Sequence, residues 1–470
     1  MIIKTDEDKK VSFFDSLYYS TFGKYKVIYN PYSYKGPLVL PKKIFLTLKK
    51  FLNGKYKAKE IKEKIKEKLN LNNEKLLHLI RQLNGYDLLS YDAEKNHIHI
   101  NPNLDRNEIT FWVDLTNQCN FRCTYCYIER KKEIINPEKF ELLLDKLINY
   151  INKYSFRKVK FFLAGGEPLL YFDNFKKIVL TIKRFEKKYS HLIKTEIYVI
   201  TNGSLLTEDK AKYLKDEKIK VAISCDGLEK FHNKTRKFIN GEGTFKYVFQ
   251  GIQLAKKYNI LNNVIVTITS KNIINLPDYV SFLLNNKIGF ELQFYRVLSP
   301  FCLEEKLRFS NLTIKKYIET IRVIYDFYKK NSKKNIRVKN KMPIMLLDQK
   351  TPFSISRYSC GAGYNYFTIT SNCEIKVCPA SNIKIPFDKI SNFLIRIKKI
   401  SRFINYPIDN NPVCNKCLWK YLCRGGCKLE KFFLKNNNID FNYCRFYKKI
   451  ISYLIFLEVE DMLSQNFIKK

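Results

Sequence analysis

Three cysteines fall within the stretch "CNFRCTYCY": Cys119, Cys123 and Cys126, in the spacing C-x3-C-x2-C. A disulfide uses two thiols and a structural zinc site normally uses four, so three ask for another explanation. A loop of this kind can wrap one corner of a cubane and ligate three irons of a 4Fe–4S cluster through thiolates. The fourth iron then lacks a protein ligand, and an open coordination position marks a catalytic metal site. A second group comprises Cys360, Cys378, Cys414, Cys417, Cys423, Cys427 and Cys444. Its centre, "CNKCLWKYLCRGGC", reads C-x2-C-x5-C-x3-C and on spacing alone suits a four-thiolate zinc site.

These thiols need a scaffold and a reducing environment. The chain has 470 residues, 45% of them hydrophobic, which suits two or three globular units and not a disordered protein. The start, "MIIKTDEDKKVSFF", lacks a basic segment followed by an apolar stretch and a small-residue cleavage site. No run reaches the roughly 18 to 20 uncharged apolar residues of a membrane span, and "IISYLIFLEVEDML" is too short and carries acids. The expected location is therefore the cytoplasm, without a membrane partner. Thiols stay reduced there, and the 13 cysteines read as metal ligands or core residues. A net charge of +40 could signal nucleic acid. The excess is Lys spread along the whole chain, a bias that AT-rich codons produce, with no Arg-rich arm or basic tail. Nucleic acid is not the expected partner.

Three zones follow. Residues 1–105 carry amphipathic helical stretches, "LPKKIFLTLKKFLNG", "KAKEIKEKIKEKLN" and "NNEKLLHLIRQLNGYDLLSYD", then "HIHI" as a short strand. Gly54 and Gly85 punctuate the helix ends. The pattern suggests a winged-helix-like module. Residues 106–335 alternate apolar strands with helices; the strands are "FWVDLT", "KVKFFLAG", "TEIYVITN", "KVAISCDG", "NVIVTIT" and "FELQFYRV". Six such units predict an α/β fold, a partial (β/α)6 TIM-like barrel whose chemistry sits at the strand C-terminal ends. "CNFRCTYCY" follows the first strand and so falls on that face. Residues 336–470 form a Cys-rich unit ending in a helix near 446–463.

The Cys119, Cys123, Cys126 loop resembles the signature of the radical SAM superfamily. In that family the open iron chelates the amino and carboxylate groups of S-adenosylmethionine. "GGEP", Gly165, Gly166, Glu167 and Pro168, is similar to the segment that binds the methionine amino group. Ser224 and Asp226 in "ISCDG", with Arg236 in "HNKTR", resemble the residues near the ribose and the carboxylate, and a guanidinium suits a carboxylate. Tyr125 resembles the aromatic beside the adenine. Strand alternation points Cys225 the other way, into the core, and Cys302 has no partner nearby. The second cysteine group is similar to the SPASM extension, which carries two auxiliary 4Fe–4S clusters. That resemblance assigns Cys414, Cys417, Cys423 and Cys444 to an outer cluster and Cys360, Cys378 and Cys427 to an inner one. Cys373 sits in "SNC", between the strand-like "NYFTIT" and "EIKVC". Five residues of return strand, roughly 16 Å, separate it from Cys378. It is not expected to be a ligand, and the inner cluster keeps an open iron.

The resemblance implies three 4Fe–4S clusters and S-adenosylmethionine, which a one-electron reductant such as ferredoxin or flavodoxin cleaves to a 5′-deoxyadenosyl radical. It implies an enzyme that oxidatively modifies a peptide or protein, such as a ribosomally made precursor receiving a crosslink. The first zone loosely resembles a module that binds leader peptides by strand addition. Anaerobic sulfatase maturation, forming formylglycine, is the alternative. Those enzymes carry an Asp directly after the cysteine aligned with Cys378, where it can take the substrate proton; here Pro379 stands there. A non-catalytic iron–sulfur or nucleic-acid-binding protein would leave Ser224 and Arg236 unexplained.

Overall fold

The computed structural model describes residues 7–33, 35–92, 107–297, 308, 310–331, 357–392, 397, 406–433 and 441–464. "HIHI" and Cys302 lie outside the described residues. The central sheet begins with six parallel strands in chain order: β7 (Glu108–Thr116), β8 (Lys158–Gly165), β9 (Lys194–Thr201), β10 (Lys220–Ser224), β11 (Leu261–Ile268) and β12 (Phe290–Phe294). Helices α4 (Pro137–Lys153), α5 (Phe172–Lys188), α6 (Glu208–Asp216), α8 (Phe245–Lys257) and α9 (Leu276–Asn285) connect them. Strand β7 shows why the sheet forms. Ile109, Phe111, Val113 and Leu115 are buried against the helices, while Glu108, Thr110, Trp112 and Asp114 alternate onto the other face. Start signals set the helices: Asn136 accepts from Lys139 N ahead of Pro137 in α4, and Thr207 accepts from Lys210 N in α6.

Strand β7 does not end the sheet. Its free edge pairs in parallel with β13 (Tyr366–Ile369), and β14 (Ile375–Lys376) and β15 (Lys384–Ile385) continue antiparallel. The order is β12-β11-β10-β9-β8-β7-β13-β14-β15, nine strands with β12 and β15 at opposite edges. The expected boundary at 335/336 falls in a stretch outside the described residues, and the core sheet runs across it to take in part of the Cys-rich zone.

The first zone differs more from its sequence reading. Helices α1 (Lys42–Phe51), α2 (Ala58–Leu69) and α3 (Asn73–Gly85) lie where amphipathic periodicity places them. Strands that the sequence reading passed over surround them. Strands β1 (Lys10–Phe13), β5 (Asn53–Lys57) and β6 (Leu89–Tyr91) make one sheet, and β2 (Tyr18–Phe22), β3 (Tyr25–Tyr29) and β4 (Leu38–Pro41) another. Gly54, taken as a helix stop, lies inside β5 with φ of +80°. "YYSTF" and "NGKYK" carry no apolar run because they are half-exposed, and that hid them. Val11, Phe45, Leu48, Ile61 and Leu83 share a local core. The β2–β4 sheet also reaches the far end of the chain: Tyr18 packs on Trp419 at 5.0 Å and Phe22 on Phe456 at 5.2 Å. Phe456 belongs to the closing helix Phe441–Ser464. Among the described residues no helix is long and apolar enough to cross a membrane.

Close packing of α8 on the loop after β9 depends on Gly251, where an added Cβ would lie 2.3 Å from Gly203 O. Gly251→Val should destabilise the protein by about 1–3 kcal/mol, the usual cost of overpacking. Gly85→Ala, with nothing within 4 Å of the new Cβ, should be neutral or stabilising by up to about 1 kcal/mol. Thermal unfolding midpoints of the two variants check both; equal midpoints would refute the packing argument.

Candidate functional site

The thiol loop is clamped from two sides. On one side the end of β8 presses on the backbone that leads into Cys119. Gly166 N donates to Thr116 O at 2.7 Å and Glu167 N to Gln118 O at 2.8 Å. A Cβ on Gly166 would sit 2.0 Å from Gln118 O, and one on Gly165, at φ of +117°, would sit 2.4 Å from Thr116 O. Only glycines permit this approach. Pro168 is buried behind them. The Glu167 side chain differs from its expected role. It is 0% exposed, and its carboxylate accepts from Thr201 Oγ1 at 2.6 Å, Asn202 N at 2.8 Å and Leu169 N at 3.0 Å. Burial pushes its pKa up, and these hydrogen bonds oppose the rise. The carboxylate therefore buckles β8 to β9 and does not stand open for an ammonium.

On the other side the loop lies against the segment after β10. Arg122 N donates to Lys237 O at 2.7 Å and Thr124 N to Thr235 O at 2.9 Å. Phe121 meets Phe238 edge-on, with centroids 5.1 Å apart. Asp226 gathers this region: its Oδ2 accepts from Tyr125 OH at 2.5 Å and from Arg236 Nε at 2.8 Å, and its Oδ1 accepts from Thr267 N at 2.9 Å. The Arg236 guanidinium lies 5.4 Å from the centre of the Tyr125 ring. Asp226 and Arg236 are only 1% and 8% exposed. Tyr125 and Arg236, expected to meet adenine and carboxylate, are thus both held by one buried aspartate. Ser224 ends β10 beside them, partly exposed.

Cys119, Cys123 and Cys126 come together. Burial raises Cys123 to about 12, with the Arg236 charge opposing it and Cys126 and Cys119 adding to it. Burial likewise raises Cys119 to about 11, while Phe121 N donates to its sulfur at 3.3 Å and Asn202 Nδ2 at 3.9 Å. Three soft sulfurs brought together, two of them, Cys119 and Cys123, resisting ionisation while bare, and N–H groups aimed at Cys119, suit iron as the charge that would settle them. Among the described residues no three His, Cys, Asp or Glu side chains are placed to hold a single metal ion.

The second group divides in two. Cys378 is raised to about 12 by burial and then by Cys427 and Cys360. Cys423 is raised to about 12 by burial, with Cys417, Cys444 and Cys414 contributing. Cys373 stands apart, 0% exposed in the hydrophobic core, in the left-handed conformation (φ +61°) at the turn between β13 and β14. Lys139 is the charge it feels. Cys225 is buried, its sulfur 3.6 Å from Gly227 O. Sequence reasoning passed over Asp114, Tyr127, Asn202 and Lys376. Alternation along "FWVDLT" already turns Asp114 away from the helices, and that signal was available.

Residues 113–283 match the model of the Radical SAM superfamily. The chain is 27% identical over 353 residues to a cysteine-type anaerobic sulfatase-maturating enzyme of Clostridium perfringens, covering 71% of this chain and 93% of that one. The solved structure of native anSMEcpe with bound AdoMet shares the fold at a TM-score of 0.57 and 24% identity, covering 73% of this chain and 96% of its own. SuiB of Streptococcus suis bound to precursor peptide SuiA shares it at a TM-score of 0.50 and 16% identity, covering 91% and 97%. Thiol loop, strand order and family match agree: residues 113–283 form a radical SAM superfamily domain, and enzymes of that superfamily use a 4Fe–4S cluster with S-adenosylmethionine.

Proposed function

We propose that this enzyme oxidatively modifies a peptide or protein substrate, with three 4Fe–4S clusters and S-adenosylmethionine as cofactors. The observation that carries the reading is the division of the second cysteine group into Cys360, Cys378 and Cys427 on one hand and Cys414, Cys417, Cys423 and Cys444 on the other. Cys119, Cys123 and Cys126 would hold a cluster that, with S-adenosylmethionine, would supply one-electron cleavage and hydrogen abstraction from a substrate. An overall oxidation also needs somewhere for a second electron to go, and further clusters give that. The chain's own residues bind and orient. Gly165, Gly166 and Pro168 fix the backbone beside Cys119, Arg236 brings positive charge to Cys123 and to an incoming carboxylate, and Ser224 and Tyr125 flank them.

The N-terminal zone serves in this reading as a recognition module for a leader segment, with sheet edges at β5 and β6 for strand addition. Support comes from coverage: the likeness to SuiB, solved with a precursor peptide, spans 91% of this chain, whereas the sulfatase-maturating relative matches 71%. A ferredoxin- or flavodoxin-like reductant would find the lysine-rich surface complementary. Formylglycine formation is the second reading, favoured by that same relative's match over 93% of its length. Pro379 weighs against it, since its side chain cannot take a proton.

Cys123→Ala should abolish 5′-deoxyadenosine formation in anaerobically reconstituted protein while leaving about eight of about twelve irons bound. Continued release of 5′-deoxyadenosine would sink the assignment. Cys373→Ser should keep about twelve irons per chain; loss of about four would make Cys373 a ligand. Deleting residues 1–105 should spare S-adenosylmethionine cleavage but lower turnover of a leader-bearing precursor by about tenfold or more, about 1.4 kcal/mol of lost binding. Equal turnover with and without the segment would remove leader recognition from the reading.

A further inference from the structure

Strand register aligns Tyr198, Phe162 and Trp112 across β9, β8 and β7, and the first two rings stack at 4.8 Å. The same row continues through Thr368 to Lys376. One step closer to the thiol loop, on the face of Trp112, stands Asp114. Its Oδ1 accepts from the Trp112 indole Nε1–H at 2.9 Å, and Lys376 is the cation that acts on it. Tyr127 links this point to both cysteine groups, since Asp114, Cys126 and Cys378 all bear on its hydroxyl. Asp114 thus stands near the C-terminal end of β7, the end that leads into the thiol loop, on the sheet face turned away from the helices. Lys376 also donates to Pro379 O at 2.7 Å. The lysine whose charge acts on Asp114 therefore also holds the backbone of Pro379, the position where the sulfatase-type relatives carry their proton acceptor.

We propose that Asp114 is a catalytic residue, the acceptor of a proton from an S–H, O–H or N–H group of the substrate. The step is a plain proton transfer. The bond from heteroatom to hydrogen breaks, the proton goes to Asp114 Oδ2, and the electron pair stays on the heteroatom, which can then form a new bond once the neighbouring carbon is oxidised. Burial holds the Asp114 carboxyl up at about 6, opposed by Lys376 and by the Trp112 hydrogen bond. An acceptor of that strength works near neutral pH. The proposal rests on the reading of the chain as an enzyme that modifies peptides.

The probe is a displayed library of random peptides around a fixed Cys, Ser or Thr, incubated with the reconstituted full-length enzyme, S-adenosylmethionine and reductant. Peptides that wild type modifies are then given to Asp114→Asn, which keeps the size and the Trp112 contact. Product should fall about 100-fold, the low end for a general base, while 5′-deoxyadenosine still forms and iron content is unchanged. Asp114→Glu, with a carboxylate restored, should regain part of the yield. Infrared titration of the iron-free protein should show a carboxyl band changing near pH 6 that Asp114→Asn lacks. Wild-type product yield from Asp114→Asn would overturn the role of Asp114 and leave the functional reading standing. If wild type forms 5′-deoxyadenosine yet modifies no library peptide, the peptide reading fails and the proposal goes with it.

Discussion

The buried pairing of Asp226 with Arg236 holds the site together. An isolated charge in that position would be costly, and removing one partner of such a pair typically costs about 3–5 kcal/mol. Here the carboxylate is satisfied from three directions, by the Arg236 guanidinium, the Tyr125 hydroxyl and the Thr267 backbone N–H. Each belongs to a different piece of chain: the segment after β10, the thiol loop, and β11. One aspartate therefore fixes how far the loop stands from the strand ends. It also sets the guanidinium near Cys123, where positive charge favours a thiolate.

Glu167 does the equivalent on the opposite flank, with a difference in chemistry. Its carboxylate accepts from N–H and O–H donors of β9, of the residue after it and of its own turn, with the Lys210 charge acting on it from farther off. The two acids bracket the loop, one tied by charge and one by neutral hydrogen bonds. The glycines beside Glu167 let backbone meet backbone where any side chain would intrude. The loop that carries the three sulfurs is fixed from both flanks, and fixed supporting groups of that sort are what a reactive centre needs.

Much of this was legible in the sequence. The thiol spacing, the order of βα units and the expectation that Cys225 turns into the core all rest on local signals: fixed offsets, period-two alternation and caps. Strands β8 and β10 begin where their apolar runs begin. What stayed hidden depends on partners distant along the chain. Nothing in "GGEP" says that its acid points inward, because Thr201 and Asn202 supply the reason. The pairing of β13 with β7 could not be read either, since a free strand edge gives no mark in its own residues. The half-exposed strands of the first zone share that problem: "YYSTF" looks like a loop until Trp419 and Phe456 cover one side of it.

That last contact has a consequence for how the protein comes into being. The covered face of β2–β4 leaves the ribosome long before Phe456 does, since some 434 residues separate Phe22 from Phe456 (456 − 22). At about 5–20 residues per second the first sheet waits on the order of tens of seconds for its cover. The local core around Leu48 and Ile61 can form at once, so the early product is a folded kernel with an unfinished aromatic side. Tyr32 from the same zone packs, as Cys444 does, against the small cluster of Ile408, Cys414 and Tyr421, and Cys417 acts on its hydroxyl. Closure of the seam and burial of the outer cysteines are therefore one late event. Until it happens, those thiols stand open to solvent and to oxygen.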